Sequence, residues 1–327
     1  MSDKNKLLII CGPTATGKTS LALQLAEQFN GEIVSVDSRQ VYVSMDIGTG
    51  KDIPEGFKPQ NLNVSGYWLK VYTNGKTRIW GYDLVKWHEE FSVSDYVNIA
   101  STIIKNICLQ SKLPILVGGT GFYIKALIDG FDTLQVPKNE VLRKSLEGKE
   151  VSKLYEVLRC KDPEKALFLN ESDKKNPRRL IRAIEVSDWK LQNNRYNQLS
   201  SKTSHKYDSL FVGLCLPKNR IFELIEDRVG KRLKVGFEKE MDMLVKQGFN
   251  SGLQSACAIG YAQWLKFLNK EISKEQAIKE WIRKEQLYAK RQMTWFRKDK
   301  RIHWFYVDNY SFFAEVADLV IKWHNKS

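Results

Sequence analysis

Residues 12–19 read GPTATGKT and come directly after the apolar run LLIIC. This is the pattern G-x-x-x-x-G-K-[ST], in which a glycine-rich loop surrounds phosphate oxygens with backbone N–H groups. In such a loop the lysine reaches the phosphates and the hydroxyl of the last residue is a ligand for Mg²⁺. The predicted phosphate-binding residues are Gly12, Pro13, Thr14, Ala15, Thr16, Gly17, Lys18 and Thr19, with Thr19 as the metal ligand.

Asp37 lies in a second segment, VDSRQVY at residues 36–42, where a short apolar run ends. In a nucleotide hydrolase an aspartate at a strand end organises Mg²⁺ or water, and in a group transfer it can be the general base. A structural role, in which Asp37 and Ser38 cap the following turn, fits the same residues.

Thr120 lies in a third segment, VGGTGFYIKAL at residues 117–127. Its glycines would let the backbone approach a ligand closely, and the threonine would offer a hydroxyl there. A plain tight turn explains the glycines equally well, so this segment carries little weight by itself.

The charge of the chain points to a polyanionic partner. Lys and Arg number 52 against 38 Asp and Glu, which gives a net charge of +14. In the aromatic-rich segment 281–301, Arg283, Lys290 and Arg297 recur every seven residues and predict a positive stripe on one helix face. The stripe suits a nucleic-acid backbone, although aromatic residues that pack in the core and solvated cations would give the same spacing. We expect Trp281 to be a core residue.

Composition limits the class of protein. With 327 residues the chain can form one large or two modest domains, and no apolar run reaches the ~18 residues of a membrane span. The N-terminal apolar run is too short for a secretory signal, so we expect a cytoplasmic protein. The five cysteines are scattered singly, which argues against disulfides and structural zinc, and we expect all five to be buried thiols.

Short apolar runs alternate with helical periodicity through the first 120 residues, which predicts an α/β fold with a doubly wound parallel sheet. Strands are expected at KLLIICG, GEIVSVD and LPILVGG, and a helix at 94–110 with Ser94 as its N-cap. The strand ends at Gly12, Asp37 and Gly119 would then share the carboxyl edge, where such sheets bind ligands.

The domain prediction is a P-loop α/β core interrupted by a helical module. Residues 1–136 form the first part of the core, with a β-hairpin insertion at about 64–84 around Asn74-Gly75. Polar helices follow over 137–205, the last of which is capped by Asn176 with Pro177 at its first position. Residues 206–327 return to the core through the strand SLFVGLCLP and end in basic helices.

The order of seven motifs makes the chain resemble the tRNA dimethylallyltransferases, also called tRNA isopentenyltransferases. The motifs are GPTATGKT, VDSRQVYVSMDIGTGK, FSVSDY, LVGGTGFYIKAL, NPRRLIRAIEV, AIGY and AKRQMTWFR. DSRQVYVSMDIGTGK and AKRQMTWFR are specific to that family in a way that the phosphate loop is not.

The resemblance implies that the loop binds the diphosphate of dimethylallyl diphosphate with Mg²⁺. The prenyl group would pass to the exocyclic N6 amine of the adenosine 3′ of the anticodon in tRNA, and diphosphate would leave. Lys18 and Thr19 would stabilise the charge of the leaving group, and Asp37 would take the proton of the amine. Thr120 is expected near the reaction centre, and Arg220 matches a position expected to hold the diphosphate.

The resemblance also assigns tRNA contacts to four short segments of this chain. The residues concerned are Asp37, Ser38, Arg39, Gln40, Arg178, Arg179, Arg182, Cys257, Gly260, Tyr261, Lys290, Arg291, Gln292, Trp295 and Arg297. One departure is IWGYDLVKWHEEFSV, which stands where the family has an HHLID-like segment, so the role of that segment is not carried over.

Three other functions compete with this interpretation. A P-loop kinase or ATPase fits the phosphate loop, but a second acidic strand end in the ATPase pattern is missing. A prenyltransferase acting on free AMP, ADP or ATP would not need the basic helix at 281–301. A non-catalytic RNA-binding protein would not need Lys18, Thr19 and Asp37. We expect a monomer that acts on tRNA without a membrane partner.

Overall fold

The computed structural model describes residues 4–193 and 207–326. The chain divides into two compact units, one of residues 1–128 and 205–327 and the other of residues 129–204. No helix of the described ranges is both long enough and apolar enough to cross a membrane.

The described part of the first unit contains one eight-stranded sheet in the order β3-β4-β5-β2-β6-β1-β7-β8. All neighbouring strands are parallel except the pairs β3–β4 and β4–β5. The strands are β1 (Asn5–Cys11), β2 (Gly31–Val36), β3 (Lys58–Val64), β4 (Tyr67–Thr73), β5 (Arg78–Trp80), β6 (Leu113–Gly118), β7 (Tyr207–Cys215) and β8 (Ile302–Tyr306).

The central strands are buried on both faces because helices cover the two sides of the sheet. Leu8 of β1 lies between Ile115 of β6 and Leu210 of β7, and all three are buried. Such continuous apolar runs are typical of buried parallel strands, so the predicted doubly wound sheet is confirmed. The helices of this unit are α1 (Lys18–Gln28), α2 (Val93–Leu109), α3 (Gly121–Ile128), α9 (Lys218–Val235), α10 (Phe237–Lys246), α11 (Tyr261–Leu268), α12 (Lys274–Phe296) and α13 (Phe312–His324).

Helix α2 begins two residues earlier than predicted. Its N-cap is Ser92, whose hydroxyl accepts the N–H of Asp95, while the Asp95 carboxylate accepts the N–H of Ser92. This reciprocal capping box satisfies two otherwise free donors, so the predicted cap at Ser94 is wrong.

The predicted hairpin is part of a larger three-stranded meander, formed by β3, β4 and β5 over residues 58–80. Strands β4 and β5 pair on either side of Asn74, whose side chain accepts the N–H groups of Lys76 and Thr77 at 3.0 and 2.8 Å. Strand β3 adds a longer antiparallel pairing with β4, from Lys58–Thr73 to Val64–Tyr67. The prediction missed β3 because its sequence, KPQNLNV, is mostly polar and exposed.

The second unit is helical and has its own core. Its helices are α4 (Glu140–Leu146), α5 (Val151–Lys161), α6 (Pro163–Leu167), α7 (Glu171–Lys174) and α8 (Pro177–Gln192). Leu154, Leu158, Leu180 and Ile184 are fully buried between α5 and α8. The side chain of Asn176 accepts the N–H of Arg179, which confirms the predicted cap. The unit begins at residue 129, whereas the sequence prediction was 137, and the predicted end at 205 lies outside the described residues.

The cysteines do not share one environment. Cys11 and Cys215 are buried and Cys108 is half-buried, but Cys160 and Cys257 are exposed. The expectation of five buried thiols is therefore wrong for the last two, which lie on a helix surface and beside a cavity respectively.

Candidate active site

A cavity of about 950 Å³ lies where β1, β2 and β6 end. Its wall contains residues from Thr14 to Ser20, from Asp37 to Gln40, and Gly118 with Gly119. The three strand-end motifs predicted from the sequence thus meet at one edge of the sheet, as expected for a parallel sheet.

The loop between β1 and α1 has the backbone of an anion cradle. Gly12 has φ of 136°, and a Cβ there would collide with the carbonyl oxygen of Leu214 in β7. The hydroxyl of Thr16 donates to the carbonyl of Pro13 at 2.9 Å, which closes the loop above the start of α1. A helix N-terminus with free N–H groups favours a bound anion at this place.

Lys18 lines the cavity, and among the described residues no carboxylate lies within hydrogen-bond distance of its ammonium group. Its Nζ donates to the carbonyl of Pro13 at 2.5 Å. Burial, together with the nearby charge of Arg228, lowers the pKa of Lys18 to about 8. An anion between these two cations would relieve their repulsion.

Helix α9 supplies two arginines that face the loop. Arg228 donates from Nη1 to Oγ1 of Thr14 and from Nη2 to Oδ2 of Asp52, both at 2.8 Å. Arg232 is buried, donates to Glu285 at 3.0 Å, and has an Nε atom with no hydrogen-bond partner among the described residues. Burial and the neighbouring Arg228 lower the pKa of Arg232. An unsatisfied buried donor in a cavity wall is what an anionic ligand would complete.

Gly50 makes the approach of these arginines possible. Its φ is 66°, and a Cβ would collide with the Nη2 atoms of both Arg228 and Arg232. Arg220, by contrast, does not line the cavity. It is exposed in the first turn of α9 and pairs with Glu223 at 2.9 Å, whereas Arg228 and Arg232 of the same helix line the cavity. Their spacing of four residues on one helix face was the signal that sequence reasoning missed.

Asp37 caps a turn and faces the cavity at the same time. Its Oδ1 accepts the N–H of Arg39 at 2.8 Å and that of Gln40 at 3.4 Å. Burial raises the pKa of Asp37, against the lowering effect of these hydrogen bonds. The capping interpretation of this residue is therefore confirmed, and the same turn places its carboxylate in the cavity wall.

Thr120 joins the ends of β6 and β2. Its hydroxyl accepts the N–H of Ser38 at 3.2 Å, and it lies just behind the cavity wall rather than in it. The wall at this place includes Tyr288 of α12, which the sequence singled out only as one aromatic among several. Burial and the charge of Asp37 raise the pKa of Tyr288, so this phenol is neutral.

Gly48, Thr49 and Gly50 form a further part of the wall. They belong to the segment DIGTGK (residues 46–51), which two buried charged groups hold in place. Glu240 accepts the backbone N–H groups of Asp46, Ile47 and Gly48 at 2.8, 2.7 and 3.1 Å. Lys51 is buried below the loop and bonds to the carbonyl of Tyr42 at 2.6 Å. The sequence marked this segment only through the family resemblance.

The residues predicted to contact tRNA fall into different environments. On α12, Arg291 and Gln292 line the cavity, and Lys290 and Trp295 are exposed. Arg297, the residue that follows the helix, is exposed as well. Cys257 lines the cavity, but Tyr261 is fully buried and donates to Glu240 at 2.5 Å. Gly260 is also internal, because a Cβ there would collide with the ring of Trp281, which is buried as predicted. Gly260 and Tyr261 thus serve packing in this structure.

In the second unit, the three predicted arginines are not equivalent. Arg178 is exposed, and Arg179 is exposed but pairs with Asp173. Arg182 pairs with Glu185 and donates to the carbonyls of Thr133 and Val136 at 2.8 and 2.9 Å. Arg182 therefore fixes residues 133–136 at the start of the second unit. Arg178 is the most accessible of the three to a polyanionic ligand.

Known proteins are similar to this chain along most of its length. The family model "IPP transferase" matches residues 72–299, and "Isopentenyl transferase" matches residues 5–62. The chain is 37% identical to a tRNA dimethylallyltransferase of Caldanaerobacter subterraneus subsp. tengcongensis, with 97% of each chain covered. It is 34% identical to one of Syntrophomonas wolfei, covering 94% of this chain and 93% of the relative.

Two solved structures are similar along nearly the whole chain. One is the tRNA isopentenylpyrophosphate transferase of Bacillus halodurans, with a TM-score of 0.68, 31% identity, and 98% and 97% of the two chains covered. The other is a eukaryotic dimethylallyltransferase acting on tRNA, with a TM-score of 0.77 and 25% identity, covering 97% of this chain and 78% of the other.

Proposed function

The chain belongs to the IPP transferase family and is an enzyme that transfers a dimethylallyl group to tRNA, and we propose that dimethylallyl diphosphate is its donor. We propose as acceptor the exocyclic N6 amine of the adenosine 3′ of the anticodon. The observation that carries this proposal is the meeting of the 12–19 loop and the Asp37 carboxylate in one cavity whose wall includes the basic helix α12.

The donor would bind with its diphosphate in the loop. The loop amides and Lys18 face this place from one side, and Arg228 and Arg232 face it from the other. Charge develops on the diphosphate as its bond to the prenyl carbon breaks, so preformed cationic donors stabilise the transition state more than the ground state.

A Mg²⁺ ion fits this site if the protein supplies few of its ligands. The described residues contain no group of three or more His, Cys, Asp and Glu side chains that could hold a metal. Thr19 lines the cavity and would be a ligand together with diphosphate oxygens and water, a set that Mg²⁺ accepts. When bound, the ion would neutralise charge on the leaving group.

Asp37 would act as the general base. The N6 nitrogen attacks the first prenyl carbon, the carbon–oxygen bond breaks with its electron pair passing to diphosphate, and the carboxylate of Asp37 takes the N6 proton. A raised pKa makes this carboxylate a better proton acceptor than an exposed one, because burial disfavours its charge.

The acceptor adenosine must leave its stack to enter the cavity, which costs a few kcal/mol. We propose that the exposed Lys290 and Trp295 of α12, Arg297 just after it, and Arg178 of α8 contact the tRNA and supply this energy. A monomeric cytoplasmic enzyme is part of the same proposal.

The test is incubation of the protein with unmodified tRNA and labelled dimethylallyl diphosphate, followed by nucleoside analysis. We expect label on N6 of the adenosine next to the anticodon, with release of diphosphate. Parallel reactions with free AMP and with ATP test the competing functions. Prenylated AMP, or ADP release without label in tRNA, would contradict the proposal.

A further inference from the structure

The meander of β3, β4 and β5 has no part in the chemistry proposed so far. We propose that two of its residues, Lys70 and Tyr72, are positioning residues for diphosphate binding. They hold Arg228 against the phosphate loop through a chain of polar contacts that runs from Asp83 to Lys51 and, through the backbone of the next residue, to Asp52. The inference rests on the proposed function in so far as the ligand of the loop is a diphosphate.

The chain begins at Asp83, just after β5. Tyr72 donates from its hydroxyl to Oδ2 of Asp83 at 2.5 Å, and Lys70 donates to the same oxygen at 3.0 Å. Burial would raise the pKa of Asp83, but Lys51, Tyr72 and Lys70 together hold the pKa below its ordinary value. Asp83 also has φ of 53°, a left-handed conformation that persists where surrounding contacts over-determine it.

The second link is Lys51, whose side chain is completely buried. Its ammonium group donates to Oδ1 of Asp83, to the carbonyl of Tyr42 at 2.6 Å and to Oδ1 of Asp46 at 2.6 Å. These three bonds use all of its donors, so the position of the Lys51 side chain is fixed by Asp83 on one side and by the chain around Tyr42 on the other.

The third link is the residue after Lys51. Asp52 contacts Nη2 of Arg228 at 2.8 Å, and Nη1 of Arg228 contacts Oγ1 of Thr14 at 2.8 Å. The side chain of Asp52 is 66% exposed, and an exposed ion pair of this kind holds its geometry weakly by itself. Its place therefore depends on its backbone, which the buried Lys51 next to it anchors.

A purely structural network would act differently from a positioning one. If a buried ion-pair partner only stabilises the fold, its loss lowers the melting temperature and reduces the affinity for every ligand equally. Loss of a positioning contact selectively lowers the affinity for the ligand that Arg228 contacts. Donor affinity and tRNA affinity thus separate the two roles.

The experiment uses Lys70→Met and Tyr72→Phe, with Lys76→Met in the exposed turn of the same meander as matched control. Binding of inorganic diphosphate is measured by calorimetry, and KM for each substrate by the transfer assay. We expect diphosphate Kd and donor KM to rise roughly tenfold in the first two variants, with tRNA binding unchanged. Lys76→Met should match the unaltered protein, and Lys70→Arg should restore most of the affinity.

A double variant makes the coupling explicit. Because Lys70 acts through Arg228, the Lys70→Met substitution should cause no further loss of diphosphate affinity when Arg228 is already replaced by Ala. Three outcomes would overturn the inference. The affinity losses of Lys70→Met and Arg228→Ala could be additive, the diphosphate affinity could be unchanged in Lys70→Met and Tyr72→Phe, or these variants could lose affinity for diphosphate and tRNA equally. Diphosphate binding without transfer to tRNA would overturn the proposed function alone, and no diphosphate binding would overturn both.

Discussion

The side-chain amide of Gln292 holds the backbone of Thr14. Its Oε1 accepts the Thr14 N–H at 2.9 Å, and its Nε2 donates to the carbonyl of Gly119 at 3.0 Å. One buried residue of α12 thus joins the phosphate loop to the end of β6, so the helix expected to contact tRNA also fixes the backbone of the 12–19 loop.

Gln292→Met should lower both stability and donor affinity. The methionine fills a similar volume but leaves the Thr14 N–H and the Gly119 carbonyl without partners, which costs about 1–3 kcal/mol of unfolding free energy. Urea denaturation and donor KM measure the two effects. Thr294→Ala, exposed on the same helix, serves as control, and a Gln292→Met protein with unaltered KM would contradict the argument.

Asp37→Asn should abolish transfer while tRNA still binds. The amide keeps the size of the side chain but cannot accept the proton of the attacking amine. In the unaltered enzyme, the base is active only when it is deprotonated, so kcat/KM should rise with pH through a midpoint above the ordinary value of 3.8. If Asp37→Asn still transfers the prenyl group and its kcat/KM rises with pH in the same way, Asp37 is not the general base.

Diphosphate binding should take up a proton at alkaline pH. The pKa of Lys18 is about 8 in the free protein, and a neighbouring anion raises it, so the complex keeps a proton that the free protein loses. Affinity should therefore be greatest below pH 8 and fall as the pH rises above it. Calorimetry in two buffers of different ionisation enthalpy measures the uptake, which should be smaller in Lys18→Met.

Replacing Lys290 and Arg297 together by Ala should weaken tRNA binding and flatten its salt dependence. Each lost phosphate contact lowers the slope of log K against log salt by about 0.7–0.9. Lys105→Ala with Lys322→Ala, on the exposed faces of α2 and α13, is a control of equal charge. A slope equal to that of this control would mean that the stripe faces away from the tRNA.

The sequence predicted the parallel core and the meeting of its strand ends because these follow from local patterns. Buried runs such as LLIIC before a glycine-rich loop have one favourable arrangement, and parallel strands bring their carboxyl ends together. Strand β8 and helix α13 were missed. The residues of β8, IHWFY, are mostly half-buried or exposed, so an edge strand here depends on its pairing with β7 and not on its own composition.

The arginines of the site were less predictable for a physical reason. Arg220 and Arg228 share a helix, and the sequence shows both as cations on a polar surface. Only the packing of α9 against Gly50 shows which turn of the helix faces the loop. The burial of Gly260 against Trp281 and of Tyr261 beside Glu240 was unpredictable for the same reason, because it is a tertiary property.

Glu240 supplies the anion for a second group of converging backbone N–H groups from inside the protein. The N–H groups of Asp46, Ile47 and Gly48 converge on its carboxylate as the 12–19 loop would converge on a phosphate, so the protein blocks one anion receptor with its own side chain. The segment that leads into Gly48, Thr49 and Gly50 of the cavity wall is therefore held by an internal negative charge. Loss of the Glu240 carboxylate would leave these three N–H groups without their acceptor and would loosen that part of the wall.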